Sequence, residues 1–294
     1  MSEIDREDHI RRVEMALLVD GLRAVHGIDF NDYAPASLER RLTQWLAQSG
    51  FASFGDATSR LLRDEQLCRQ LLQDVTVNVS DMFRDPHFFK ALRDEVLPHL
   101  RTYPHVRIWV AGCASGEEVY SLAILLHEEG LADQCRIYAT DLNEAMVDKA
   151  REGVFALRDM QRYTQQYQQA GGTAAFSDYY VARYQRAQFN RALIRNVVFA
   201  AHNLLTDADF SEMQLILCRN VMIYFKPDAK DRVLQVFDDC LSPAGFLCLG
   251  TKETLDRSPL KEKGYRELQA GTRIYRKQYD FAPGRQPGAG QALQ

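Results

Sequence analysis

Glu118, Asp141, Asn203, Arg219 and Asn220 each follow an apolar, strand-like run by a few residues. In a doubly wound α/β sheet, such positions converge on one crevice at the carboxyl edge of the strands. Carboxylates, amides and a guanidinium gathered there suit an adenosine-containing ligand. The cradle is expected in Arg107–Ala123, which reads as a strand (Ile108, Trp109, Val110), a glycine turn (Gly112 to Gly116) and a helix from Glu118 onward. Glycine lets a ligand approach the backbone, and the helix start offers free N–H groups. The glycine spacing is not GxGxxG, and Glu117 and Glu118 place negative charge where a pyrophosphate would sit. That disfavours a dinucleotide and suits a cofactor with cationic groups, such as S-adenosyl-L-methionine (SAM). An ordinary strand–helix turn with nothing bound is the competing reading. Asp141 closes the strand Arg136–Thr140 about 25 positions past the turn, where a carboxylate can accept from ribose hydroxyls. Capping the helix that begins near Glu144 is its plainer role.

The elements that must position these groups follow from pattern. The 294 residues are 46% hydrophobic and 26% charged, a globular composition that allows one medium domain and a smaller companion. The net charge of −4 gives no general drive toward nucleic acid or an anionic membrane. No apolar run is long enough to span a bilayer, and the polar, acidic start reads as no signal peptide. The six cysteines show no CxxC spacing and read as buried, reduced thiols in a cytoplasmic protein.

Residues 9–74 read as a small helical bundle. Leu38, Leu42, Trp45 and Leu46 recur at helical spacing, Gly21, Gly27 and Gly50 break the pattern, and Ser37 and Ser53 are candidate N-caps. The bundle is acidic, with nine Arg against thirteen Asp plus Glu over residues 1–75. Arg40 and Arg41 are nevertheless adjacent, either a solvated face or a patch for an acidic partner. Val75, Val77 and Val79 suggest a short extended join, and Asp85-Pro86 a capped helix start. Residues 155–195 change character and turn basic, with Tyr179–Tyr184 and Gln188–Ile194 pairing as a hairpin around Gln185 to Ala187. The strands Asn196–Ala201 and Met213–Cys218 resume the α/β rhythm, a helix opened by Pro227 follows, Ser242–Gly245 turns into the strand Phe246–Leu249, and a hairpin over 265–276 closes it. The fold class is therefore α/β: a doubly wound, mostly parallel sheet (76–280), with an all-helical N-terminal domain (1–75) and a small antiparallel β insertion (155–195). The tail 281–294 is rich in Pro, Gly and Gln and reads as disordered.

Four stretches resemble the CheR-type chemotaxis receptor methyltransferases: Asn78–Arg84 (NVSDMFR), Gly112–Ala123 (GCASGEEVYSLA), Ala139–Leu142 (ATDL) and Cys218–Phe225 (CRNVMIYF). The last is the most specific, and the similarity runs from about residue 10 to 278. The resemblance implies a Rossmann-like, class I SAM-dependent fold and transfer of methyl to glutamate carboxylates of chemoreceptors (methyl-accepting chemotaxis proteins), leaving S-adenosylhomocysteine. It implies that Asn78, Ser80 and Arg84 line the methionine end of SAM, that Glu118 (or its neighbour Glu117) binds the cofactor's polar end, and that Asp141 holds the ribose. Asn203 and Leu204 would border the adenine, Arg219 and Asn220 would complete the pocket, and Arg84 and Tyr224 would face the substrate. Ser80 stands where the family usually has Thr, and Val119 where it usually has Pro. The implied partner is the cytoplasmic signalling domain of a chemoreceptor, toward which Arg40 and Arg41 could steer, with no nucleic acid and no membrane insertion. Some family members grip a receptor C-terminal peptide through the β insertion; this short hairpin, without a glycine-rich turn, suggests independence of such a tether.

The residue types agree with that chemistry. A glutamate is already ionised at neutral pH, its ordinary pKa being ~4.3, so no general base is required and positioning and desolvation suffice. Two rival readings remain: a nucleic-acid methyltransferase, disfavoured by the net charge and by Cys-Arg-Asn-Val where Asn/Asp-Pro-Pro-Tyr would stand, and a non-enzymatic module with a SAM-like pocket.

Overall fold

The computed structural model describes residues 3–75, 80–207, 210 and 212–278. Four helices come first: α1 (Glu3–His26), α2 (Pro35–Ser49), α3 (Phe54–Leu61) and α4 (Glu65–Val75). Leu18, Leu22, Leu42, Trp45, Phe54 and Leu71 fill a core of their own. In α2 the buried residues Leu38, Leu42 and Trp45 fall on one helical stripe, as their spacing demands. Gly27 and Gly50 adopt left-handed φ of 69° and 79° at helix ends. Gly21 does not break α1: it lets the helix lie against Leu62, whose Cδ2 would be 3.0 Å from an added Cβ. Ser53 caps α3 by accepting from the Asp56 N–H at 3.2 Å. Ser37 caps nothing, because Pro35 starts α2 and places Ala34 at the cap. Val75 ends α4 rather than an extended piece, and residues 76–79, with Val77, Asn78 and Val79, lie outside the described residues.

A continuous helix follows, made of α5 (Pro86–Ala91), a π-helical turn (Leu92–Val96) and α6 (Leu97–Leu100). Asp85 precedes it at φ 57° but makes no capping bond; its carboxylate goes to Arg219 instead. The chain then runs β1 (Val106–Ala111), α7 (Glu117–Glu128), β2 (Cys135–Asp141), α8 (Glu144–Glu152), β3 (Val154–Ala156), α9 (Met160–Gln169), β4 (Tyr180–Arg183), β5 (Arg186–Phe189), β6 (Val197–Ala201), β7 (Met213–Cys218), α10 (Pro227–Cys240), β8 (Leu241–Leu249), β9 (Tyr265–Glu267) and β10 (Ile274–Lys277).

Seven strands form one sheet in the order β6-β2-β1-β7-β8-β10-β9. The pairs from β6 to β8 are parallel, and β10 is antiparallel to both β8 and β9. Helices cover both faces, so β1 and β7 are apolar almost throughout rather than alternating. The chain passes from β1 to β2 and β6 on one side, then crosses to β7 on the other. A crevice therefore opens beyond the carboxyl ends of β1 and β7, where the winding reverses.

The insertion is a separate antiparallel sheet, β3-β5-β4. Its hairpin turns at Tyr184–Gln185, both left-handed (φ 45° and 62°), with Arg183 paired to Arg186. The turn expected at 185–187 thus lies one residue too late, because no Gly or Asn marks a two-residue turn of this hand. Ser242–Gly245, expected as a turn, falls inside β8, where the pairing with β7 shifts register and Ala244 has φ 60°. All six cysteines are buried, and burial pushes the Cys68 thiol up to about 11 and Cys135 up to about 12, which makes them inert. No helix among the described residues is long and apolar enough to cross a membrane. The tail 281–294 is outside the described residues.

Candidate active site

At the reversal point the glycine turn departs from β1 with Gly112 at φ 81° and Ala114 at φ 46°. Gly112 tolerates no side chain: an added Cβ would lie 2.3 Å from Val221 Cγ2. Asp141, at the end of the neighbouring strand β2, holds this turn. Its Oδ2 accepts from the Ala114 N–H at 2.9 Å and its Oδ1 from the Asn143 N–H at 2.9 Å. Asp141 does not cap α8; Asn143 does, accepting from the Ala145 N–H at 3.1 Å. Burial pushes the Asp141 carboxyl upward, and the N–H groups of Asn143, Ala114 and Leu142 pull it back.

The paired glutamates of α7 divide. Glu118 borders the crevice. Glu117 is buried and takes the Ser115 hydroxyl on both oxygens, at 3.0 and 2.8 Å. Ser80 also borders the crevice, and its hydroxyl bonds Glu117. Burial drives the Glu117 carboxyl upward, partly offset by these bonds. Successive helix residues point about 100° apart, so only one of the pair can face a ligand.

Arg219 follows β7, and its side chain is 1% exposed. It donates to Glu118 Oε2 at 2.7 Å, to Asp85 Oδ2 at 2.7 Å and to the Arg84 carbonyl at 3.2 Å, and its guanidinium lies 3.9 Å from the Phe88 ring centroid. Arg219 and Asn220 border the crevice as expected. Its terminal nitrogens, however, are engaged by the protein, while the buried Nε has no partner among the described residues, so Arg219 acts by fixing Glu118 and the Arg84–Asp85 corner.

Arg84 borders the same crevice. Among the described residues, no hydrogen bond or ion pair engages its guanidinium, unlike that of Arg219. Asn203 and Leu204 line the wall beyond β6. The Asn203 Oδ1 accepts from the Leu205 N–H at 3.0 Å and shapes that wall. Tyr224 lies on a 3₁₀ turn (Met222–Tyr224) after β7 and reaches the crevice too. Asn78 lies outside the described residues.

The helical domain supplies a side that the sequence did not suggest. The Ala34 N–H donates to the Tyr224 carbonyl at 2.8 Å, and the Lys226 N–H to the Asp32 carbonyl at 2.8 Å. Asp29 and Tyr33 reach the crevice from this contact, and burial beside Asp141 pushes the Tyr33 hydroxyl up to about 12. Arg40 and Arg41 do not act as one patch. Arg40 is exposed, whereas Arg41 turns inward, bonds the Val75 carbonyl at 3.1 Å and sits 5.3 Å from the Tyr224 ring centroid. No local signal could mark Asp29 or Tyr33, because residues that share the crevice with them, such as Asp141 and Tyr224, lie far along the chain.

The crevice offers the carboxylates of Glu118 and Asp141 together with a glycine turn. Apolar Leu142, Leu204 and Val221 line it as well. That donor set fits a cationic, ribose-bearing cofactor without phosphates such as SAM, which Asp141, Glu118, Asn203 and Leu204, all bordering the crevice, would hold. A mostly parallel, doubly wound sheet with this crevice at its reversal point is Rossmann-like, with the crevice where such folds bind nucleotide-type cofactors. A family model described as the CheR methyltransferase SAM binding domain matches residues 78–269, and one described as the CheR methyltransferase all-alpha domain matches 14–76. The chain belongs to the CheR methyltransferase family. It is 44% identical to a Pseudomonas putida protein named Cher3 over 265 residues, 90% of this chain and 97% of that one. It is 30% identical to a chemotaxis protein methyltransferase of Listeria monocytogenes, over 78% of this chain and 85% of the other. A chemotaxis protein methyltransferase 1 of Pseudomonas aeruginosa is 31% identical, over 74% and 82%.

Proposed function

We propose that the protein transfers the methyl group of SAM to glutamate side-chain carboxylates on the cytoplasmic signalling domain of chemoreceptors. The observation that carries this reading is Arg84: a guanidinium with no partner among the described residues, in the crevice that also holds Glu118, Asp141 and Tyr224. SAM, when bound, supplies an electrophilic methyl on a sulfonium and leaves as S-adenosylhomocysteine. The chain's own residues have little covalent work to do. Arg84 can hold the incoming carboxylate by a charge-assisted bond, and the Tyr224 hydroxyl can fix its second oxygen. An ionised carboxylate is already a nucleophile, so no side chain need remove a proton. Walls from Leu142, Leu204 and Val221 strip water from two opposite charges that cancel on transfer. Incubation with radiolabelled SAM and receptor signalling domains should place base-labile label on the receptor. Label on nucleic acid, or SAM bound without transfer, would refute the proposal.

Tyr224→Phe should lower kcat by about 10-fold or more, the loss of one hydrogen bond to a charged group. SAM affinity, read by calorimetry, should stay within about threefold, since the change removes the hydroxyl's bond to Arg41 but leaves the phenyl ring under that guanidinium. An unchanged kcat would remove Tyr224 from the mechanism.

Arg40, exposed on α2, is the residue we assign to steering toward an acidic receptor surface, while Arg41 serves the crevice wall. We further propose that the enzyme works without a receptor peptide tether. The short edge strands of the insertion, β3 of three residues and β4 of four, support this, since they leave little edge for strand addition. Calorimetry with receptor C-terminal peptides should detect no tight complex; a tight one would defeat this part.

A further inference from the structure

The segment joining β7 to α10 carries both Asn220 and Tyr224, yet it is irregular apart from the single 3₁₀ turn. Asn220 sits at φ 61°, and its buried Oδ1 has no hydrogen-bond partner among the described residues. Backbone of this kind keeps one shape only when its surroundings over-determine it. One side chain does most of that. Glu253, 6% exposed, accepts from the Asn220 N–H at 2.9 Å and the Gly250 N–H at 2.7 Å on Oε2, and from the Ile223 N–H at 3.2 Å on Oε1. The Met222 N–H bonds the same carboxylate. Among the described residues no cation pairs with Glu253; burial pushes its carboxyl upward, and the N–H groups of Asn220, Gly250, Ile223 and Met222 pull it back.

The neighbouring glycine is shaped to this contact. A Cβ on Gly250 would lie 2.7 Å from Glu253 Oε2, 2.7 Å from the Asn220 backbone nitrogen and 2.8 Å from Asn220 Nδ2. Neither Glu253 nor Gly250 borders the crevice, whereas Asn220, Val221 and Tyr224 do. Glu253 can therefore influence the reaction only through the backbone that it grips.

We infer that Glu253 is a positioning residue for methyl transfer, setting the backbone from Asn220 to Ile223 and through it the place of the Tyr224 hydroxyl. The inference rests on the substrate-side reading of Tyr224. Glu253→Gln keeps the size of the side chain but turns one acceptor into a donor facing backbone N–H groups. Hydrogen exchange of residues 219–225 should quicken by about 10-fold, with the parallel strands unchanged, as expected when a local region loses its bonds. In wild-type background kcat should fall by about 10-fold or more, whereas in a Tyr224→Phe background the same change should cost less than about threefold, because both act on one group. Equal losses in the two backgrounds, or unchanged exchange at 219–225, would overturn the inference. A Tyr224→Phe enzyme with full turnover would instead overturn the reading of Tyr224, and with it any action of Glu253 through that residue. Should Glu253→Gln fail to fold, Gly250→Ala leaves the carboxylate in place and drives a methyl into the same contact. It should give the same non-additive pattern, and additive losses there would equally count against the inference.

Discussion

Arg219→Met is expected to lower the unfolding free energy by about 3 kcal/mol, the low end of what removing one partner of a buried ion pair costs. The side chain is 1% exposed, while its partners Glu118 and Asp85 are 14% and 35% exposed. Water can therefore recover part of the loss at Asp85 but little at Glu118. Methionine keeps part of the apolar contact with Phe88, so the loss gathers the two carboxylates left unpaired, the bond to the Arg84 carbonyl and the cation over the Phe88 ring. SAM binding should weaken as well, because Glu118 loses the group that aims it. Arg219→Lys should be intermediate: one ammonium cannot span two carboxylates and a carbonyl as a planar guanidinium does. Urea denaturation with and without SAM would measure both effects. A loss below about 1 kcal/mol would mean that the pair is solvated and adds no more than a surface bridge.

Asp141→Ala should weaken SAM binding by about 100-fold, close to 3 kcal/mol for a lost charge-assisted contact. It also orphans the N–H groups of Ala114 and Asn143, which loosens the turn at its left-handed residue. A pH dependence follows. Burial raises the Asp141 carboxyl above its unfolded value. The folded, ligand-free protein therefore binds more protons between the two values, and this group's contribution to stability falls as pH rises through that window. A cationic ligand favours the ionised form, so SAM affinity should fall as pH drops through the folded value, with a proton released on binding in that range. Calorimetry in two buffers of different ionisation heat would detect the proton, and Asp141→Asn should abolish it. Unchanged proton release in that variant would assign the linkage to another group, Glu117 being the nearest candidate by its raised carboxyl.

The division between what sequence and tertiary structure decide can be followed residue by residue. Strands β1, β2 and β7, the glycine turn and the carboxylate at the end of β2 were legible because each is a local signal: an apolar run, a residue that permits positive φ, a polar residue at a strand end. Helix α1 defied its Gly21, since packing against Leu62 outweighs the glycine's cost within a helix. The hairpin turn at Tyr184–Gln185 was misplaced because its strand pairing, and no turn residue, sets it. Glu118 was separated from Glu117, and Arg41 from Arg40, by helix phase relative to neighbours that the local sequence does not name. Sequence by itself determined most of the elements, the family and the crevice residues that follow the strand ends. Only the tertiary structure decided that Arg219 spends its donors on Glu118 and Asp85, that Tyr33 closes the crevice from the helical domain, and that Glu253 grips the Tyr224 segment. Each of those is a contact between distant stretches of chain, made possible where the winding of the sheet reverses and brings their ends together.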